Sequence, residues 1–379
     1  MWKRTLLIVV VVLVALGLLG MCAALATPQF WSGLASSRAA KGDWKGAVKF
    51  ANVALQRNPR FAMAHLTRGI ALVHLKRYQD ALRALDTAQN LNQNLTEVYE
   101  ARAQARCALG ELDSALADAE AAIEKRPNSP GAWMIHGIAN FYRGELDTAQ
   151  QSLERARTID ASDPAVYAWL ARVFLARGEF HFATLQAGAA IDRDSGNPAY
   201  YRLRGMAWLL SQQAQSALSD MLQAAELAHQ DSDAQFALAM AWLAVGEPAK
   251  AREALVAHLR LGPSPEQKIM VEKMPVASRL DERTFNETGL SAFRPHFNLA
   301  LAELMLGERE KALEHLARSK TEGPAPVPFE PAVALEEMLA EHPDLRIKAV
   351  NGKVVWIIEA EGDKPGDQTN QAPRLKTNK

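Results

Sequence analysis

Three hydrophobic patterns follow one another along the chain. Between Thr5 and Ala26 the residues run apolar, preceded by Lys3 and Arg4, and no charge returns until Arg38. From Pro28 onward apolar and small residues recur at helical spacing, and the whole arrangement repeats. From Leu345 the period shortens to two. Leu345–Val350 and Lys353–Ile358 flank Asn351-Gly352, which predicts a β-hairpin with a two-residue turn.

The first run predicts a membrane anchor over residues 5–26, with residues 1–4 cytoplasmic. A helix over Thr5–Leu25 is about 31 Å long, the thickness of a bilayer's hydrocarbon core. A cleaved signal peptide has a shorter apolar region, although Ala24 and Ala26 could form a cleavage site before Thr27. Cys22 follows Met21, a poor lipoprotein signal. Lys3 and Arg4 lie closer to the membrane than Arg38, Lys41 and Lys45. By the positive-inside rule the remainder of the chain is then extracytoplasmic.

The second pattern is a 34-residue repeat. Ala47, Ala81, Ala115, Ala149, Ala183, Ala217 and Ala251 follow one another at that interval. Gly42, Gly110, Gly144, Gly178 and Gly246 lie five residues before their alanines, and Ala35, Gly69, Ala103, Gly137, Ala171, Gly205 and Ala239 twelve before. Two helices per repeat account for these columns. Each helix carries a small residue where the pair crosses closely, and the glycine turns the chain between them. Pro59, Pro127 and Pro263 stop the second helix. Lys76 and Gln212 replace the turn glycine, so those two turns are expected to close differently.

This pattern resembles the tetratricopeptide repeat family. One unit reads Trp133, His136, Gly137, Gly144, Leu146, Ala149, Ala156; another reads Tyr167, Leu170, Ala171, Phe174, Gly178, Phe180, Ala183, Ala190. The resemblance implies an all-α, right-handed tetratricopeptide-repeat superhelix. It has seven contiguous repeats over 28–265 and an eighth at 293–326, carried by Leu299, Ala300, Gly307, Ala312 and Leu316. Residues 266–292 form an insertion of short helices. A C-terminal helix and the hairpin occupy 327–361, and a polar, disordered tail occupies 362–379.

Composition narrows the function. Forty-three basic residues balance 43 acidic ones, which argues against a nucleic-acid binder. Two cysteines, Cys22 and Cys107, exclude a disulfide scaffold or a cysteine-rich zinc module. The nine histidines lack metal spacing, and there is no glycine-rich phosphate loop. No catalytic residue, metal, cofactor or small-molecule substrate is expected, so the chain reads as a non-enzyme. Asn94-Leu95-Thr96 and Asn286-Glu287-Thr288 match the glycosylation pattern, a short match common by chance.

In the resembled family the first helices line the inner groove at repeat positions 2, 5, 9 and 12. Those positions carry no carboxylate clamp here. They read largely apolar, with methionines and two central arginines. The candidate partner-binding residues are Met134, Ile138, Phe141, Arg172, Arg202, Met206, Phe236 and Met240. Flexible methionines suit an apolar protein or peptide segment, and the arginines would orient it. Equally, the insertion or the C-terminal segment of the chain itself could fill the groove. The resulting expectation is a single-pass protein of a bacterial inner membrane holding its partner outside the cytoplasm as a scaffold. Other readings are a chaperone-like adaptor, a regulatory subunit of an envelope polysaccharide or secretion machine, and a secreted or periplasmic protein if the first segment is cleaved.

Overall fold

The computed structural model describes residues 27–262, 284–285, 287–288, 290–292, 294–320, 330–342 and 345–358. The expected anchor, most of the insertion and the expected disordered tail lie outside them. Among the described residues no helix is long and apolar enough to cross a membrane. The described residues are all-α apart from one two-stranded sheet. The chain divides into two compact units, residues 1–136 and 137–379.

The first unit contains α1 (Pro28–Ala40), α2 (Trp44–Arg57), α3 (Ala62–His74), α4 (Tyr78–Leu91), α5 (Glu97–Ala108), α6 (Leu112–Lys125) and the start of α7 (Pro130–Arg143). The second continues α7 and adds α8 (Leu146–Ile159), α9 (Pro164–Arg177), α10 (Phe180–Arg193), α11 (Pro198–Leu210), α12 (Ala214–Leu227), α13 (Ser232–Val245) and α14 (Pro248–Leu261). After the insertion come α15 (Pro295–Met305), α16 (Arg309–Ser319), α17 (Glu330–Glu341), β1 (Leu345–Val350) and β2 (Lys353–Ile358).

Local chemistry sets the helix starts. Asp163 and Asn197 accept hydrogen bonds from Ala165 N and Ala199 N at 2.8 and 3.0 Å, and Pro164 and Pro198 follow in the first turn. A side-chain acceptor followed by a proline supplies one orphan amide with a partner and dispenses with another. Pro248 also stands in the first turn of α14, without a side-chain acceptor before it.

The repeated alanines from Ala47 to Ala251 are inaccessible to solvent, as expected of close helix crossings. A methyl group added to Gly69 would meet Leu85 Cδ2 at 2.6 Å, and one added to Gly137 would meet Leu153 Cγ at 2.7 Å. The small residues therefore permit large leucines on the facing helix. This interlocking buries two modest apolar faces at crystal-like density.

The turns correct one expectation. Lys76 and Gln212 do not close their turns differently; they adopt left-handed φ angles of 58° and 62°. Their hydrogen bonds follow the glycine pattern. Lys76 N donates to Val73 O and Arg77 N to Leu72 O, both at 2.9 Å, just as Gly178 N donates to Leu175 O and Glu179 N to Phe174 O. Tertiary packing of the helix pair thus outweighs the about 1–2 kcal/mol that the left-handed region costs a residue with a side chain. Lys76→Gly and Gln212→Gly should each stabilise the protein by roughly 0.5–1 kcal/mol, read as a higher urea midpoint at unchanged slope.

An ion-pair motif joins the helices of the third repeat. Asp118, on α6, is 4% exposed and accepts from Arg102 Nε at 2.9 Å, Arg102 Nη2 at 2.6 Å and Arg106 Nη1 at 2.5 Å. Arg102 Nη1 also donates to Asp86 at 2.9 Å, and the carboxylates hold its guanidinium well above the usual arginine range. The sixth repeat has the same pair, Arg204 on Asp220 at 2.7 and 2.8 Å.

Candidate functional site

Position 9 of each repeat shows which part of the first-helix face reaches solvent. Ile70, Ile138, Arg172 and Met206 are half-buried, and Gln104 is exposed. Met240 and Leu301, at the same position of the seventh and eighth repeats, have no accessible surface. The repeat geometry is common to all of these residues, so the difference comes from what lies on top.

The C-terminal segment lies on top. β1 packs against α13 and α15, and β2 against α13. The strands are antiparallel, with Ile347 opposite Trp356 and Ala349 opposite Val354. Asn351 and Gly352 both have positive φ, 51° and 79°, the primed turn expected of this dipeptide. Leu345, Ile347, Val354 and Trp356 turn inward and join one core with Phe236, Met240, Leu243, Phe297 and Leu301. The hairpin's seat is this chain's own first-helix face in the seventh and eighth repeats.

The closeness of that seat is visible at the hairpin tip. A side chain added at Gly352 would meet the backbone oxygen of Gln212 at 2.7 Å, and Ala349 Cβ lies 3.6 Å from where one would stand on Gly246. Leu335 and Leu339 of α17 and Leu290 of the insertion complete the core. The ring of Phe285 bridges Phe297 and Trp356 at 5.9 and 6.2 Å. Ser291 and Asn298 are paired in both directions, Ser291 N donating at 2.9 Å and Asn298 Nδ2 at 2.8 Å.

The eight candidate residues accordingly separate into several environments. Met134 is half-buried in the first unit. In the second unit Ile138, Arg172 and Met206 are half-buried and accessible. Phe141 is 1% exposed, covered edge-on by Tyr142 and Trp169 at 5.5 and 5.8 Å. Position 12 is buried in its neighbours too, at Val73, Cys107, Leu175, Leu209 and Leu243, because it packs between helices instead of facing a groove. Phe236 and Met240 belong to the covered core, with the Phe236 ring 5.0 Å from that of His258.

The two arginines also differ. The Arg172 guanidinium lies over the Trp169 ring, 4.7 Å from its centre, an arrangement that favours the cation electrostatically. Arg202 is ion-paired with Asp231, whose other oxygen caps α13 by accepting from Asp233 N at 2.9 Å. Trp169 was absent from the candidates because sequence position 6 is not an inner-face position in the resembled family. Its signal is the arginine three residues later, which one helical turn places beside it.

The titratable groups have structural partners. Burial pushes the Cys107 thiol up to about 12, where it is a small apolar residue. His258 Nδ1 lies 2.7 Å from Ser232 Oγ and 2.9 Å from Ser232 O, and burial lowers its pKa. His296 and His315 bring their Nδ1 atoms to 3.0 Å, one ring donating to the other. Burial first, then the neighbouring His315, lowers His296 to about 4. Among the described residues no three or more histidine, cysteine or acidic side chains are arranged to hold a metal.

Comparison with known proteins agrees with this architecture. Residues 32–94 and 100–164 match the tetratricopeptide repeat family model. The serine/threonine-protein phosphatases 5 of Rattus norvegicus and Mus musculus are 32% identical over 92 residues, 24% of this chain and 18% of theirs. The chain thus spans under a fifth of these relatives' length, and their phosphatase activity is not carried over by so short a match. Among solved structures, that of the APC/C hetero-tetramer Cut9-Hcn1 has a TM-score of 0.54 at 17% identity, covering 64% of this chain and 48% of that one. A tetratricopeptide repeat protein from Parabacteroides merdae has a TM-score of 0.51 at 15% identity, covering 68% and 98%. These likenesses are of fold. The helix pairs within residues 32–94 and 100–164 are thus similar to tetratricopeptide repeats, and the later helix pairs continue the same 34-residue spacing and fold.

Proposed function

We propose that the chain is a membrane-tethered scaffold that holds an apolar segment of a partner protein on the first-helix face of its fourth to sixth repeats. The repeat fold is one that serves protein–protein interaction, and it makes and breaks no bond. One observation carries the choice of surface: Ile138, Arg172 and Met206 stay accessible at a position that the C-terminal segment covers completely in the next two repeats. An accessible apolar strip with a cation at its centre suits a segment that buries methyl groups and presents a carboxylate or backbone carbonyls.

The tether rests on the uncharged run after Lys3 and Arg4, and the charge asymmetry favours an extracytoplasmic repeat region in a bacterial envelope. Tethering acts by raising the partner's effective concentration at the membrane.

A photoreactive phenylalanine analogue in place of Met206, in the full chain in native membranes, tests the surface. The expected result is one adduct of defined mass from position 206 and none from position 222, where Leu222 is exposed on α12. Equal labelling from both positions, or none from 206, overturns the surface. Release of the protein by alkaline carbonate overturns the tether.

A further inference from the structure

The first repeat carries a charge that the balanced totals of the chain conceal. Residues 28–61 hold six basic residues, Arg38, Lys41, Lys45, Lys49, Arg57 and Arg60, against one acidic residue, Asp43. That carboxylate is engaged: it caps α2 by accepting from Gly46 N at 2.8 Å, and it accepts from Arg38 Nη1 at 3.0 Å. Lys41, Lys45, Lys49 and Arg60 are exposed, and among the described residues no carboxylate pairs with them.

Helical spacing gathers these cations beside aromatic rings. Lys45, Lys49, Val53 and Arg57 follow at four-residue intervals and form one row along α2. The same interval aligns Phe30, Leu34 and Arg38 on α1. The two rows meet through their rings. Trp31 stacks on Phe50 at 5.7 Å, Arg57 lies over Trp31 at 5.1 Å, and Arg38 lies over Phe50 at 5.6 Å. α1 buries only Ser32 and Ala35, whereas α3, the first helix of the next repeat, buries Leu66, Leu72 and Val73. Phe30 is 40% exposed and Leu34 is half-buried. The outer side of the first repeat is therefore an apolar, aromatic strip rimmed with cations.

The place of this strip in the chain indicates what it meets. The uncharged run ends at Ala26, and the next residue, Thr27, is extended, with φ −84° and ψ 140°. Thr27 Oγ1 accepts from Phe30 N at 3.3 Å, and Pro28 opens the helix. α1 is thus a helix of its own, beginning directly after the run with a direction set by this break. α2 returns antiparallel, so that Arg57 near its end stands beside Trp31 near the beginning of α1. Both helices therefore lie at the border of a bilayer that the run crosses.

Building on the proposed tether, we propose that the outer face of α1 and α2 makes a second membrane contact, with the anionic phospholipid headgroups of the leaflet on the repeat side. Phe30 and Leu34 enter the interfacial zone, backed by the stacked rings of Trp31 and Phe50, and the exposed lysines and Arg60 pair with lipid phosphates. α1 then lies along the surface, and the first unit is held in one orientation where an anchor alone would let it swing about Thr27. The closeness of these cations to the headgroups arises in the folded protein, whereas the positive-inside rule concerns charges close to the run along the chain.

The test uses the full chain in nanodiscs of phosphatidylcholine alone, and of phosphatidylcholine with about one-third phosphatidylglycerol, both carrying bromine on their acyl chains. An environment-sensitive fluorescent residue replaces Gln56, which is exposed on α2, or Leu222 as a control. Phosphatidylglycerol should increase bromine quenching at position 56 and leave position 222 unchanged. Molar salt should reverse the increase, because it shortens the reach of exposed charges from about 8 Å to about 3 Å. Lys45→Gln, Lys49→Gln and Arg60→Gln together should weaken docking by roughly a hundredfold, at about fivefold per charge, in a titration with phosphatidylglycerol. Circular dichroism of this variant should match that of the parent. Quenching at position 56 that is equal in the two compositions, or unchanged in the triple variant, overturns the membrane contact. Fluorescence that responds to soluble polyphosphate and not to phosphatidylglycerol assigns the face to a polyanion in solution and also overturns it. Retention on the phosphatidylcholine discs reads the tether separately. If the chain leaves those discs the tether is lost, and phosphatidylglycerol-dependent quenching that the triple variant abolishes still supports the face.

Discussion

Asp118→Ala should destabilise the first unit by about 3 kcal/mol, the lower end of what breaking a buried ion pair costs. Asp118 is 4% exposed and neutralises two guanidinium groups that are themselves mostly covered. Its removal leaves Arg106 without that carboxylate and leaves Arg102 with Asp86 alone, which is half in water. Desolvation of the cations persists while most of the compensating attraction disappears. Asp220→Ala should cost roughly half as much, because its partner Arg204 is one cation and keeps more contact with solvent. Urea unfolding monitored by circular dichroism measures both losses, and amide exchange locates them. Protection should fall first across α5–α6 in the Asp118 variant and across α11–α12 in the Asp220 variant, since each repeat leans only on its neighbours. Equal losses below about 0.5 kcal/mol, the range of a surface substitution, would show that these pairs contribute nothing beyond their packing.

Much of this architecture is legible in the sequence, and the reason is steric. A close crossing of two helices tolerates only alanine or glycine, so Ala149 and Gly137 mark a contact directly by their size. The hairpin is legible because Asn351 and Gly352 both need positive φ, and few other dipeptides accept it. The turns at Lys76 and Gln212 were misread because residue preference is a weak prior, easily outweighed by packing on both sides. The Arg102–Asp118 pair did leave a trace that composition hides. Arginine at repeat position 7 occurs with aspartate 16 residues later in both the third and sixth repeats.

The candidate surface was harder to read because occlusion is a property of distant residues. Met206 and Met240 occupy the same position in consecutive repeats and look equivalent in the sequence. They differ in that the hairpin, more than 100 residues later, packs on α13, where Met240 is enclosed, while Met206 on α11 stays partly open. Phe141 was misjudged for a different reason. An aromatic residue at position 12 suggests a groove wall, but the rise of the helix turns that position into the seam between neighbouring first helices. Local periodicity states which face a residue occupies, and the neighbouring layer decides whether that face meets water.

Met240→Asp should be the most damaging of the groove substitutions, and Met206→Asp among the mildest. The side chain of Met240 is fully enclosed among α13, α15 and the hairpin core. Truncating such a residue costs about 2–5 kcal/mol through lost contacts and the cavity left behind. An unpaired carboxylate in the same place adds several kcal/mol, or takes up a proton to escape it. A combined loss above roughly 5 kcal/mol corresponds to a melting temperature lower by about 10 °C or more in a unit of this size. Met206 keeps contact with water, so an aspartate there remains hydrated and should change stability by about 1 kcal/mol at most. A variant retaining Trp356 as its only tryptophan separates unseating of the hairpin from general unfolding. In the Met240→Asp background its emission should shift to that of exposed indole, while most helical signal survives in the repeats that do not touch the hairpin. In the Met206→Asp background it should stay that of a buried indole. Equal, mild effects of the two substitutions would mean that the hairpin leaves α13 open in solution, and Phe236 and Met240 would then join Met206 as residues available to a partner.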